Sequence, residues 1–229
     1  MGHRRQHDSD ESREEKIAEL AGAYATALLS GYEVTAEMAI REAMDASLST
    51  AEIHERLIAP ALWLVGDLWE RGQISVAEEH IATEISVRVL ALQREAQRVA
   101  RSRIEHRVVC ATPVGERHVI ALRMVANLLL GAGYEVVMVG TEVPADALGA
   151  TAGRHGADVV CLSQTMTGAA DELLPAIDRV LHERPSAGFV IGGQALVGEG
   201  HLRPRVHVCK RVSEAVDAVD AIIKRARLN

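Results

Sequence analysis

Aromatic residues make up only 3% of this chain, with a single phenylalanine among 229 residues. Any core must therefore be packed by Leu, Val, Ile and Ala, and the 48% hydrophobic content supplies enough of them. Cysteine is equally scarce. Cys110, Cys161 and Cys209 lie in or beside apolar, strand-like runs, and no two have zinc-motif spacing. That excludes a disulfide framework and a Cys-based zinc site, and it reads as a reduced, cytoplasmic protein with buried thiols. A basic excess is missing too. Lys and Arg number 25 against 32 Asp and Glu, for a net charge of −7, so no direct DNA binding is expected. No apolar run approaches the roughly 18 residues of a membrane span, and the polar, charged start is unlike a signal peptide.

What is present divides into two patterns. Residues 1–13 have almost no apolar content and read as a disordered arm. From 14 to 103 the apolar spacing is helical. Ile17, Leu20, Ala21, Tyr24 and Leu28 make one stripe, stopped at Gly31. A second helix is expected after Thr35 as N-cap, through Met38, Ile40, Ala43 and Met44. The third starts at Ser49 or Thr50 with an acidic first turn but no complete capping box, and Pro60 is expected to kink or split it. The fourth opens on Ser75 with Glu78, a capping box, and runs to about Ser102. Four helices with short connections predict a four-helix bundle.

From 104 to 229, short β-branched runs alternate with amphipathic helices, the signature of βαβ units. Strands are expected near 107–112, 135–139, 158–162, 188–191 and 206–209. Helices are expected near 118–131, 144–156 (opened by Pro144), 170–183 and 213–226. This predicts an α + α/β protein, whose second half is a flavodoxin- or Rossmann-like five-stranded parallel sheet of order 2-1-3-4-5.

Three features fall at the carboxyl edge of that sheet, where ligands of such folds bind. His118, with Glu116 two residues away, follows the first strand. Ser163 and Thr165 follow the third, and Gly192-Gly193 the fourth. A neutral imidazole oriented by a carboxylate is a ready metal ligand. Hydroxyls supply hydrogen bonds to a ligand, and glycines at a strand end allow close approach to the backbone.

Together, Glu116-x-His118-x-x-Ala121, Ser163-x-Thr165 and Gly192-Gly193 resemble the Asp-x-His-x-x-Gly, Ser-x-Leu and Gly-Gly signature of the cobalamin-binding domain. The resemblance implies that His118 replaces the cofactor's own base as lower cobalt ligand, with Glu116 as its hydrogen-bond partner. It puts Arg117 and Val119 beside the ligand, and Ser163, Thr165, Gly192 and Gly193 around the nucleotide tail. Glu116, Ala121 and Thr165 depart from the usual Asp, Gly and Leu.

In the helical half, Trp69 followed nine residues later by Glu79-His80 resembles the Trp-x9-Glu-His signature of cobalamin photoreceptors related to MerR-type regulators. There the bundle caps the upper face of adenosylcobalamin, the tryptophan packs on the adenosyl group and the Glu-His pair helps hold it. The residue after that tryptophan is a histidine in those regulators, which captures cobalt once the adenosyl group is lost. Here it is Glu70. His54, His80 or water remain as substitutes, and Gly66 and Gly72 leave room near Trp69 for a different neighbour.

The resemblance covers nearly all of residues 14–226, without a DNA-binding motif before the bundle or a catalytic domain after the last helix. It implies a light sensor, not an enzyme, that acts on a protein partner in trans or by changing oligomer, with a homodimer expected. Some such relatives carry a bilin. There is no convincing Cys attachment site, and a noncovalent bilin stays open. The alternatives are a corrinoid methyl carrier of a methyltransferase system and a cobalamin-responsive interaction module independent of light.

Overall fold

The computed structural model describes residues 2–98, 105–165, 172–194 and 205–226. The expected end of the fourth helix near Ser102, the expected boundary at 103/104 and the expected helix start at 170 lie outside these residues. The chain forms two compact units, Met1–Leu92 and Gln93–Asn229.

The first unit contains α1 (Gly2–Leu29), α2 (Glu33–Asp45), α3 (Thr50–Ile53) continuing through a π-turn (His54–Ile58) into α4 (Ala59–Glu70), and the start of α5 (Val76–Arg98). Its interior is aliphatic, as the composition requires: Ile17, Leu20, Leu28, Ile40, Leu57, Ile58, Ile85 and Leu90 are all buried. Tyr24 is buried with them, and its hydroxyl lies 3.0 Å from Ser86 Oγ. That bond satisfies the polar end of a core aromatic.

Several local expectations are corrected here. The stretch read as a disordered arm is helical from Gly2. It has no proline, and Arg13–Glu52 and Lys16–Glu42 ion pairs at 2.8 and 2.6 Å fix the following turns. Adding turns to an anchored helix costs far less than starting one. The second helix starts at Glu33 rather than after Thr35. Gly31, at φ +68°, reverses the chain early enough for Tyr32 to serve as N-cap. Pro60 does not split the third helix into separate rods. It lacks an N–H and its ring crowds the carbonyl four residues back, and the π-turn just before it absorbs that conflict while the backbone stays helical.

Ser49, not Thr50, caps the third helix. Its hydroxyl accepts from Glu52 N–H at 3.2 Å, and Glu52 accepts from Ser49 N–H at 2.9 Å. The expected Ser75–Glu78 capping box is present as read. The Ser49 backbone and hydroxyl hold the Glu52 carboxyl at about 2, below its ordinary 4.5. Because the folded value is depressed, this contribution is present above about pH 4.5 and is lost as the pH falls toward 2. Glu52→Gln should therefore be less stable than the parent near pH 6 by up to about 1 kcal/mol. The gap should close by pH 2–3 in thermal melts. A gap that persists at pH 2 would rule out the carboxylate as its source.

The second unit is built on β1 (Arg107–Pro113), β2 (Glu135–Val143), β3 (Val159–Ser163), β4 (Gly188–Gly192) and β5 (Val206–Cys209), in the expected parallel order β2-β1-β3-β4-β5. The intervening helices are α6 (Ile120–Gly131), α7 (Ala145–His155) and α8 (Leu173–Glu183), and α9 (Ala215–Ala226) follows β5. One face packs Val109, Val160, Leu162, Phe189 and Ile191 against Leu148, Ala152, Ile177 and Val180. The other packs Val108, Cys110, Val159, Cys161 and Val190 against Leu122, Leu129, Val219 and Ile222. Strands covered on both sides read as continuous apolar runs, which is why they were visible in the sequence.

The cysteines are free, as expected, with Cys110 and Cys161 buried and Cys209 half-buried. A hydrogen bond with Cys110 and burial raise the Cys161 thiol, and burial pushes Cys209 up to about 11. All three are core groups rather than nucleophiles. The division between units falls at Leu92/Gln93 because the last turns of α5 attach to the sheet: Arg94 donates to Val136 O at 3.4 Å, and Gln97 packs on Gly131. No helix among the described residues is long and apolar enough to cross a membrane.

Candidate functional site

β1 ends in a tight turn. Glu116 N–H donates to Pro113 O at 3.2 Å, and Gly115, at φ +82°, turns the chain back toward the sheet. This drives the Glu116 side chain inward, where it is fully buried. A buried carboxylate needs partners, and Glu116 has them on both oxygens. Oε1 accepts from His118 N–H at 2.8 Å and lies 2.6 Å from His118 Nδ1, while Oε2 accepts from Thr165 N–H. The longer glutamate thus spans from the β1 loop to the β3 loop. With Nδ1 donating to the carboxylate, the neutral imidazole carries its lone pair on Nε2. The His118 side chain is 59% exposed. It stands just ahead of α6, whose N-cap is Val119. A second-sphere carboxylate that fixes tautomer and ring direction is the usual support of a metal-binding histidine.

Arg117, between them, points away and pairs with Glu142 at 3.0 Å. Ser163 is buried at the end of β3, and its Oγ has no hydrogen-bond partner among the described residues. An orphaned buried hydroxyl is uncommon and fits a ligand that supplies the missing partner. The two glycines after β4 differ. A Cβ on Gly192 would lie 3.4 Å from Cys209 O, an ordinary contact. A Cβ on Gly193, whose φ is +121°, would meet Gln164 O at 2.0 Å. Gly193 is therefore demanded by the neighbouring protein loop, where the sequence suggested room for a ligand.

The sequence missed Thr112, Glu142 and Gln164. Thr112 is buried, donates to Glu116 O at 2.5 Å and accepts from Glu142 N–H at 3.1 Å. Gln164 N–H donates to Gly192 O at 2.8 Å, which joins the β3 and β4 ends. Only the Thr-Pro-x-Gly spelling of the turn hinted at any of this.

In the helical unit, Trp69 lies in the last turn of α4 and is 47% exposed, so it is not a core residue. The helix stops beyond it in a Schellman motif: Gly72, at φ +67°, donates to Trp69 O at 2.8 Å, and Gln73 donates to Leu68 O at 2.8 Å. Nothing lies within 4 Å of a Cβ built on Gly66 or Gly72. Glu79 and His80 sit in the first turns of α5. His80 Nδ1 lies 2.5 Å from Glu79 Oε2, and Thr83 Oγ1 donates to Glu79 Oε1 at 2.9 Å. His80 thus repeats the histidine–carboxylate arrangement of His118, with its side chain 72% exposed. His54, the other histidine considered as a cobalt ligand, is fully buried on the π-turn. Trp63, which the sequence reading passed over, is exposed as well.

Residues 106–223 match the family model described as the B12 binding domain, and residues 20–92 match a second B12 binding domain model. The chain belongs to the B12-binding family. It is a cobalamin-binding protein, and the outward Nε2 of His118 and the unpartnered Ser163 hydroxyl fit that cofactor. It is 30% identical to dimethylamine corrinoid protein 1 of Methanosarcina acetivorans over 80% of this chain and 84% of that one. It is 28% identical to the HTH-type transcriptional repressor CarH of Myxococcus xanthus over 73% of this chain and 54% of that protein, so it spans about half of CarH's length. The monomethylamine corrinoid protein structure from Methanosarcina barkeri covers 89% of this chain and 99% of its own, with a TM-score of 0.70 and 19% identity, and shares the fold.

Proposed function

We propose that this B12-binding chain is an adenosylcobalamin-dependent light sensor, not an enzyme, that signals to a protein partner through a change of conformation or oligomer. The observation that carries its cobalamin chemistry is the His118–Glu116 pair, which leaves Nε2 outward as the lower cobalt ligand. Ser163, Thr165, Gly192 and Gly193 belong to the nucleotide-tail side of that site. Adenosylcobalamin, when bound, supplies a cobalt–carbon bond that visible light breaks. Trp69 offers an exposed ring to the adenosyl group, and the Glu79–His80 pair offers it hydrogen bonds. These residues touch one state of the ligand and not the other, which is the differential contact a switch needs. The similarity to CarH supports a regulatory reading, and the net charge of −7 favours a protein partner over DNA. A homodimer is the expected assembly.

A second reading is favoured by the 30% identity to dimethylamine corrinoid protein 1: a corrinoid carrier that works between partner enzymes. Visible spectra with adenosylcobalamin, taken in the dark and after green light, separate the two. A sensor shows an irreversible change at a rate unlike free cofactor. A carrier or a light-independent module photolyses as the free cofactor does. Trp69→Ala should leave dark binding intact and alter the light response; an unchanged response removes Trp69 from the mechanism. Absorption beyond that of cobalamin in pigment extracted from the native source would reveal a bilin.

A further inference from the structure

We propose that Thr112 is a positioning residue for the His118 loop, acting on the imidazole through Glu116. The proposal rests on the reading of His118 as cobalt ligand. Thr112 is fully buried near the end of β1. Its single hydroxyl donates to Glu116 O at 2.5 Å and at the same time accepts from Glu142 N–H at 3.1 Å. It therefore fastens three segments at one point: the central strand, the loop that carries the histidine, and the end of β2.

The β2 end needs such a fastening. The β1–β2 register slips twice beyond Cys110, and Gly140 and Glu142 both have positive φ, +117° and +52°. A glutamate in the left-handed region is strained and persists only where its surroundings hold it. Two contacts do so: the Thr112 hydroxyl on its N–H, and the Arg117 guanidinium on its carboxylate. The second is weak, because the two side chains are 82% and 39% exposed and water screens the pair. The buried hydroxyl is the stronger link. Through it the Glu116 backbone is fixed, and with it the carboxylate whose Oε1 holds His118 Nδ1. The result is a continuous path from the strained bulge to the imidazole through hydrogen bonds of 3.1, 2.5 and 2.6 Å.

The test uses the full chain with Thr112→Val, Thr112→Ser, Thr112→Cys and Glu142→Gly. It reads melting temperature, cobalamin affinity, and the nitrogen coupling of ¹⁵N-histidine-labelled protein to Co(II) by electron paramagnetic resonance. Thr112→Val keeps the shape and removes both bonds. It should bind cobalamin about 10–100-fold more weakly and lose much of the protein nitrogen coupling. Thr112→Ser keeps both bonds and should stay within about threefold of the parent. Glu142→Gly keeps the backbone N–H that donates to Thr112 and relieves the backbone strain, so it should melt no lower than the parent and bind within about threefold of it. A folded Thr112→Val within twofold of the parent, its nitrogen coupling intact, overturns the proposal; so does a Thr112→Ser that fails to restore affinity. If Thr112→Val does not fold, Thr112→Cys decides, because a thiol makes only weak hydrogen bonds in place of the hydroxyl; affinity within twofold of the parent with intact nitrogen coupling there overturns the proposal. His118→Ala serves as control: if it retains the protein nitrogen coupling, the ligand assignment fails rather than the role of Thr112.

Discussion

His118→Ala should weaken cobalamin binding on the order of 100-fold, and whatever cofactor remains bound should carry its own base on cobalt. In the parent, Nδ1 is committed to Glu116, so only Nε2 is free to coordinate, and the exposed ring needs no rearrangement to offer it. The substitution removes no buried apolar surface. It does leave the buried Glu116 carboxylate without its Nδ1–H donor, so stability should fall by about 1–3 kcal/mol, and a thermal melt beside the titration separates a binding loss from unfolding. Glu116→Gln is the companion variant. It keeps the volume but removes the charge that accepts from His118 N–H, His118 Nδ1 and Thr165 N–H, and it should cost about 10–100-fold in affinity. Titration by visible absorption reads both. Equal affinity for His118→Ala and parent, with an unchanged spectrum, would end the assignment of His118.

The second large effect is on folding. Gly193→Ala places a methyl group where Gln164 O, C and N lie at 2.0, 2.5 and 2.8 Å. These are backbone atoms, pinned by the 2.8 Å bond from Gln164 N–H to Gly192 O, and cannot rotate aside. The φ of +121° adds strain for any side chain. Left-handed strain of about 1–3 kcal/mol and overpacking of similar size together predict a loss of roughly 3–5 kcal/mol. Gly192→Ala, with its nearest contact at 3.4 Å, should lose less than about 1 kcal/mol. Urea unfolding of the two variants side by side checks the contrast. Similar stabilities would mean that the β3 and β4 ends separate easily.

Much of the molecule was legible beforehand, and the reasons are particular. β1, β3 and β4 are buried on both faces, so their apolar runs stood out, and their alternation with helices suggested the flavodoxin-like order. Ser75 with Glu78 marked a helix start because both capping partners are side chains three residues apart. Glu116 and His118 stood out because their partnership is also local. Failures came where a neighbour overrode local preference. Gly31 moved the start of α2, ion pairs near the start of α1 extended that helix through a polar stretch, and a π-turn absorbed Pro60.

By itself the sequence determined the two-part α plus α/β organisation and the histidine–carboxylate pair, since periodicity and short spacings encode both, and it suggested the sheet order only through the known flavodoxin-like arrangement of alternating strands and helices. Only the tertiary structure decided that Glu116 also reaches the Thr165 backbone, that Thr112 joins the histidine loop to the β2 bulge, and that Gly193 is required where Gly192 is not. Each of those depends on a backbone N–H or carbonyl brought close by strand pairing. Every residue carries the same backbone groups, so nothing in a residue's identity tells which of them will meet.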